Sequence, residues 1–354
     1  MAAAPLLFQP LRVGGQTLRN RIVLSPMCQY SSVDGMPGDW HLVHLGSRAI
    51  GGAALVLTEA TAVEPRGRIS PQDTGIWNDA QAGAWARIAR FIADHGAVAG
   101  IQLAHAGRKA STRRPWDGGG ACPPGEGGWR PVGPTREPFT AGATPPDALD
   151  ADGLATVTAA FRAAARRAWD AGFRAVELHA AHGYLLHEFL SPLVNRRTDA
   201  YGADRRRLLR EVAGAVRAVW PEEGAMLVRL SMTDWTPGGI DADQSVETAR
   251  QLRDLGVDAV DCSSGGAVPG VRTPEAPGYH APFAARVRRE AGMLAAVVGR
   301  VTGAAQAEAI LAAGDADLVA VGRQLLRDPY WPLHAAHELG ADVPWAVQYR
   351  RAAP

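Results

Sequence analysis

The chain reads as an α/β protein, a closed (β/α)8 TIM barrel with a long loop excursion after strand three. Three observations predict it. Eight short runs rich in β-branched residues, apolar on both faces, recur along the chain, which is how buried parallel strands read. Amphipathic helical stretches alternate with them. No G-x-G-x-x-G follows the first run, where "VLSPMCQYSS" stands instead, so an open doubly wound sheet is the alternative.

The runs are 21–26, 54–60, 97–107, 174–183, 226–234, 258–266, 293–301 and 317–323. Between them, 79–95 carries a stripe of Ala82, Trp85, Ile88, Ala89 and Ile92. In 153–171 the stripe is Leu154, Val157, Phe161, Ala165 and Trp169. In 204–220 it is Leu208, Val212, Val216 and Val219, and in 244–255 it is Val246, Ala249, Leu252 and Leu255. Gly96, Gly172, Gly256 and Gly314 precede the next strand and suit helix C-caps. The segment 111–148, with "PWDGGGACPPGEGGWRPVGPT", interrupts this beat without ending it. It therefore reads as a lid-like excursion of a single domain spanning 1–354, with 324–354 as a C-terminal segment.

Bulk properties narrow the function. The net charge is +1, from 37 Lys+Arg against 36 Asp+Glu, so no basic field points to nucleic acid. No apolar run reaches the roughly 18–20 residues of a membrane helix. The start, "MAAAPLLFQPLRVGG", lacks a basic n-region and a long apolar core, and reads as mature chain. Three scattered cysteines, Cys28, Cys122 and Cys262, supply neither a disulfide framework nor a four-Cys iron–sulfur cluster. A cytoplasmic setting and a small-molecule partner are the expectation.

Chemistry in such barrels gathers at the carboxyl ends of the strands. Strand one delivers Ser25, Pro26, Met27 and Cys28, then Tyr30; strand two, Thr58, Glu59 and Ala60. Strand three delivers Gln102 and His105, then Arg108 and Lys109; strand four, Glu177, His179, His182 and Tyr184. Strand five gives Arg229, Ser231 and Asp234, and strand six gives Ser263 and Ser264. Strands seven and eight both end in V-G-R, as Gly299-Arg300 and Gly322-Arg323. A glycine lets backbone N–H approach an anion, and an arginine supplies charge, so the doubled motif predicts a phosphate site.

The mouth reads as rich in donors and poor in carboxylates, with Glu59 and Asp234 at its rim. That suits an electron-rich heterocycle or an oxyanion better than a two-carboxylate hydrolysis. His179 and His182 converge only if the chain leaves the strand between them, which Gly183 favours. From spacing alone they fit a pair of donors, two of the ligands of a metal with Cys28 as a third, or two polar rim residues without a role. A metal-dependent barrel hydrolase and a non-enzymatic flavin-holding or partner-binding barrel therefore stand as alternatives.

The stretches "SPMCQYS", "EATAV", "IQLAHAGRKAS", "ELHAAHGYLLHEFLSPLVNRRTDAYG" and the final "VGR" resemble the Old Yellow Enzyme family of flavin-dependent ene-reductases, over Leu7 to Arg351. Cys28 after "SPM" and the C-terminal "VQYRR" resemble its thermophilic-like, xenobiotic reductase subclass. The resemblance implies tightly but non-covalently bound FMN, reduced by NADPH or NADH. It implies that Ser25, Pro26, Met27 and Cys28 line the flavin, Cys28 tuning its potential. Ala60 packs on it, Gln102 bonds its pyrimidine edge and Arg229 faces N1 and O2. Gly299, Arg300, Gly322 and Arg323 are assigned to the phosphate. His179 and His182 bind a substrate carbonyl or nitro oxygen, Tyr30 contacts substrate and Tyr184 protonates Cα. Hydride passes through flavin N5, in ping-pong order, to the Cβ of enones, maleimides or nitro compounds. Glu177 and His187 are left structural. A tail arginine, Arg351 or its neighbour Arg350, is expected to enter the adjacent subunit of a homodimer or homotetramer. No metal is implied.

Overall fold

The structure, a computed structural model, describes residues 4–354. The first three residues of the N-terminal stretch and of the 1–354 domain lie outside the described residues. Eight parallel strands close in chain order. They are β1 (Ile22–Leu24), β2 (Leu55–Ala62), β3 (Val98–Ala104), β4 (Ala175–Ala180), β5 (Ala225–Ser231), β6 (Ala259–Ser263), β7 (Leu294–Val297) and β8 (Leu318–Val321). Closure runs through Val319 beside Ile22 and Val321 beside Leu24. Each strand overlaps its predicted run.

The main helices outside the barrel are α1 (Asp39–Ile50), α2 (Asp79–Asp94), α3 (Ala151–Asp170), α4 (Arg207–Arg217), α5 (Ala242–Asp254), α6 (Ala281–Arg286), α7 (Ala304–Ala312) and α8 (Trp331–Glu338), with shorter ones at Leu185–Leu190, Ala200–Ala203 and Arg323–Arg327. Their starts are set by caps rather than by the apolar stripes. Asn78, Asp150 and Asp241 each accept a hydrogen bond from a first-turn amide of α2, α3 and α5. Hence α3 and α5 begin two residues before their predicted bounds. Gly96, Gly172, Gly256 and Gly314 take φ of +74°, +98°, +82° and +72°, as C-caps require.

Two apolar layers hold the barrel. Outside, the stripes of α2 to α5 pack on outward residues such as Val56, Ile101, Val176 and Val228. Inside, Val23, Leu55, Leu57, Ala175, Leu227, Ala259, Ala296 and Leu318 form a closed floor. Val13 and Leu18 from the hairpin that pairs Leu11–Val13 with Gln16–Leu18 join that floor and plug the amino-terminal end. Because side chains alternate along a strand, the next inward positions on β3 to β6 are Gln102, Glu177, Arg229 and Asp261. The polar site therefore begins one step above a dry floor.

The excursion is ordered. Ser111 Oγ donates to Cys122 O and accepts from Trp129 N, both at 2.8 Å. Val132–Gly133 pairs with Asp147–Ala148. Trp129 Nε1 donates to Arg66 O at 2.9 Å, tying the segment to the loop after β2.

Candidate active site at the barrel mouth

β4 ends at Ala180 and the chain turns at once: His182 and Gly183 take left-handed backbone, φ +61° and +73°. Gly183 was legible as a turn residue, whereas left-handed His182 was not. A β-carbon on Gly183 would collide with the Gly266 carbonyl, so glycine is required there. His182 costs about 1–3 kcal/mol in that conformation. Its N–H is held by Ser231 Oγ at 2.9 Å and its carbonyl by Lys109 Nζ at 2.7 Å, which offset the strain.

The turn brings the two imidazoles together. Their centroids lie 5.0 Å apart at 87°, with His179 Nε2 3.3 Å from His182 Nδ1. The Tyr184 ring meets His179 edge-on at 4.9 Å. Desolvation, and then the nearby Arg229 charge, hold both imidazoles well below their ordinary range, so both are neutral. Desolvation keeps the Tyr184 hydroxyl well above its ordinary value and the Cys28 thiol likewise. Tyr184 is a retained proton, and Cys28 is a thiol rather than a thiolate.

Beneath the histidines lies a charged layer whose acidity the sequence understated. Gln102 Nε2 donates to Glu177 Oε1 at 2.7 Å. Arg229 Nε lies 3.4 Å from Asp261 Oδ2, and its Nη1 donates to Ser25 Oγ at 3.2 Å. Asp261 is a buried carboxylate that spacing did not flag, so the mouth is not poor in carboxylates. Glu59 and Asp234 are also not at the rim. Two residues bulge from β2 between Leu57 and Ala60, which buries Glu59 beneath Gln29 N (2.8 Å) and His41 Nε2 (3.0 Å). The bulge sets Ala60 beside Gln102. Asp234 accepts from Ser191 Oγ at 2.7 Å and Ile240 N at 2.9 Å, and its Oδ1 lies 3.0 Å from His187 Nε2. His187 Nδ1 accepts from Gly183 N at 2.8 Å, so its role is to brace the turn.

Cys28, Ala60 and Tyr184 share one small apolar cluster with Ile69 and Ala110. Tyr30, at φ +52°, meets Trp116 of the excursion edge-on at 5.5 Å. The excursion roofs a cavity of about 270 Å³ whose walls include Lys109, Phe139 and Tyr184. Lys109 Nζ stands 4.5 Å over Phe139 and 5.1 Å over Tyr184, and burial lowers its ammonium to about 8.

A second cavity, about 370 Å³, opens at the ends of β7 and β8 between Gly299, Arg300, Gly322, Arg323 and Arg327. A β-carbon at Gly299 would sit 2.8 Å from His280 Nδ1, and Met27 Sδ lies 3.5 Å from the β-position of Gly322. Arg300 is exposed and pairs with Glu275 at 3.3 Å. Pro26 follows Ser25 just beyond the end of β1. Arg350 and Arg351 lie on the exposed turn Arg350–Ala352, away from the mouth's hydrogen bonds.

Known proteins share this barrel fold. A family model described as the NADH:flavin oxidoreductase / NADH oxidase family matches residues 6–342. An NADPH dehydrogenase of Geobacillus thermodenitrificans (strain NG80-2) is 45% identical over 351 residues, 98% of each chain. The solved structure of morphinone reductase superposes with a TM-score of 0.78 at 30% identity, covering 96% of this chain and 91% of that one. An Old Yellow Enzyme homologue from Zymomonas mobilis gives 0.76 at 27%, covering 97% and 96%.

Proposed function

The chain belongs to the NADH:flavin oxidoreductase / NADH oxidase family, the Old Yellow Enzymes, and is an FMN-dependent NAD(P)H oxidoreductase; from that premise we propose that it reduces the activated C=C bond of α,β-unsaturated carbonyl compounds. The observation that carries the reading is the pair of neutral imidazoles converging at 3.3 Å beside a retained tyrosine proton.

The residues present fit the cofactor. Arg323, Arg327 and Arg300 around glycine backbone suit a phosphate dianion. With the Gln102 amide nitrogen engaged by Glu177, its amide oxygen is left to accept from an N–H such as that of the isoalloxazine pyrimidine edge. Arg229 Nε, buried and without a hydrogen-bond partner among the described residues, is a donor for the same edge. Ser25 to Cys28 and Ala60 supply the flank. FMN, when bound, takes hydride from NADPH or NADH and passes it to the substrate.

Each histidine gives the substrate oxygen one N–H, stabilising the negative charge that develops there as Cβ is reduced. Tyr184 O–H delivers the proton to Cα and is replenished from solvent. Tyr30 and the chamber under the excursion position the rest of the molecule and exclude water. The exposed Arg350–Ala352 turn supports an assembly reading, with Arg351 reaching a neighbouring subunit in a homodimer or homotetramer. Sedimentation of the wild type, with enone KM for Arg351→Ala, tests it.

The decisive experiment is stopped-flow reoxidation of the NADPH-reduced enzyme by 2-cyclohexenone. Rapid, saturable reoxidation is expected. Reduced enzyme that no enone reoxidises would leave only the flavin-holding reading.

A further inference from the structure

A neutral imidazole carries one N–H, and the pair must divide its protons. His179 Nδ1 accepts from Ala181 N at 3.3 Å, which puts the His179 proton on Nε2, facing His182. His182 Nδ1 faces back at 3.3 Å, and its other nitrogen, Nε2, lies 2.6 Å from Ser263 Oγ. At 3.3 Å, two facing N–H groups would clash. The arrangement that satisfies every atom has His179 Nε2–H donating to His182 Nδ1, and His182 Nε2–H donating to Ser263.

A substrate oxygen that takes a hydrogen bond from both rings needs the opposite tautomer of His182. Its Nδ1 must then carry the proton, and its bare Nε2 must accept from a hydroxyl. We propose that Ser263 is the positioning residue that sets the His182 tautomer, accepting from Nε2 in the free site and donating to it when an oxygen ligand arrives. This rests on the ene-reductase reading above. One proton leaves Nε2 and an equivalent one from water joins Nδ1, so the ring stays neutral and only the Ser263 hydroxyl turns.

Two features support the assignment. The backbone that carries the ring is fixed, because Ser231 and Lys109 hold the His182 N–H and carbonyl. The neighbouring serine supplies the contrast. His280 Nδ1 donates to Val298 O at 2.8 Å, which leaves Nε2 bare, so Ser264 Oγ, itself accepting from Trp235 Nε1 at 2.8 Å, donates to Nε2 at 2.7 Å. That tautomer is locked by the Val298 carbonyl, which can only accept. His182 Nδ1 faces an imidazole nitrogen instead of a carbonyl, so neither its tautomer nor the direction of the Ser263 hydroxyl is fixed in that way.

The test uses FMN-loaded enzyme labelled with 15N-histidine, with imidazole 15N shifts read with and without 4-hydroxybenzaldehyde as the oxygen ligand. His182 is expected as the Nε2–H form alone and the Nδ1–H form in the complex. Ser263→Ala should abolish the exchange and weaken the aldehyde about ten-fold, and Ser263→Thr, which keeps the hydroxyl, should restore both. Enone turnover with one unchanging His182 tautomer, or a Ser263→Ala enzyme that keeps the exchange and the affinity, overturns the inference alone. An enzyme that no enone reoxidises overturns the parent reading and this one with it.

Discussion

Gln102 and Glu177 face each other across the β3–β4 seam, amide Nε2 to carboxyl Oε1 at 2.7 Å, with no water-exposed surface on the acid. Burial, reinforced by Asp261, lifts Glu177 to about 8, so it is a neutral acid at neutral pH. The folded value lies above the roughly 4.3 of an unfolded glutamate. Between about 4.3 and 8 the folded chain therefore holds a proton that the unfolded chain releases, and stability falls as pH rises through that window. Glu177→Gln cannot ionise. Its melting temperature should vary less than that of the wild type between pH 5 and 8, by the equivalent of 1 kcal/mol or more, about what one pKa unit is worth. Parallel pH–Tm curves would count against this protonation state.

On the proposed function, His179→Ala removes one of two donors to the substrate oxygen. Enone reduction should fall about 100- to 1,000-fold, the usual cost of one such donor. Reduction of the enzyme by NADPH should fall far less. Equal slowing of both half-reactions in stopped flow would contradict the assigned role.

Tyr184→Phe deletes the retained proton and leaves the ring against His179. Loss of a general acid is worth on the order of 100-fold or more. Enone reduction should drop by that factor while a phenol still binds, which titration of the flavin absorbance checks.

Lys109 loses its charge near pH 8, where the ammonium over Phe139 and Tyr184 becomes an amine. Its folded value is depressed, so the cation is present below pH 8 and absent above it. Enone turnover should decline through that pH, and Lys109→Met should flatten the profile. A bend that survives the substitution assigns it to another group.

Gly183→Ala tests the turn. The new methyl would meet the Gly266 carbonyl in a left-handed backbone, a combination costing roughly 1–3 kcal/mol from strain before any clash is counted. Lower Tm together with lost phenol binding is expected, because His182 is aimed by the same turn.

The barrel was legible because its signal is local. Apolar runs, helical stripes and glycine C-caps each lie within one unit of chain, and the strands fell where those runs stand. The histidine pair and the doubled V-G-R were legible for the same reason. What escaped lies across the barrel. Ser263 meets His182 from 81 residues away, and Gln102 meets Glu177 from 75. Asp261 sits in an unremarkable strand, and only closure sets it beside Arg229. Glu59 reads as a strand-end carboxylate, and the β2 bulge that buries it has no turn residue to announce it.

The excursion carries a different consequence. On the proposed function the hydride and proton geometry resides in barrel strands and the β4 turn, whereas most of the roof over Tyr184 is drawn from one continuous stretch of chain. Which molecules enter and what is done to them are thus encoded in separable pieces of sequence. Recombination or library design confined to the interior of 111–148 can retarget this catalyst while the reacting groups keep their places.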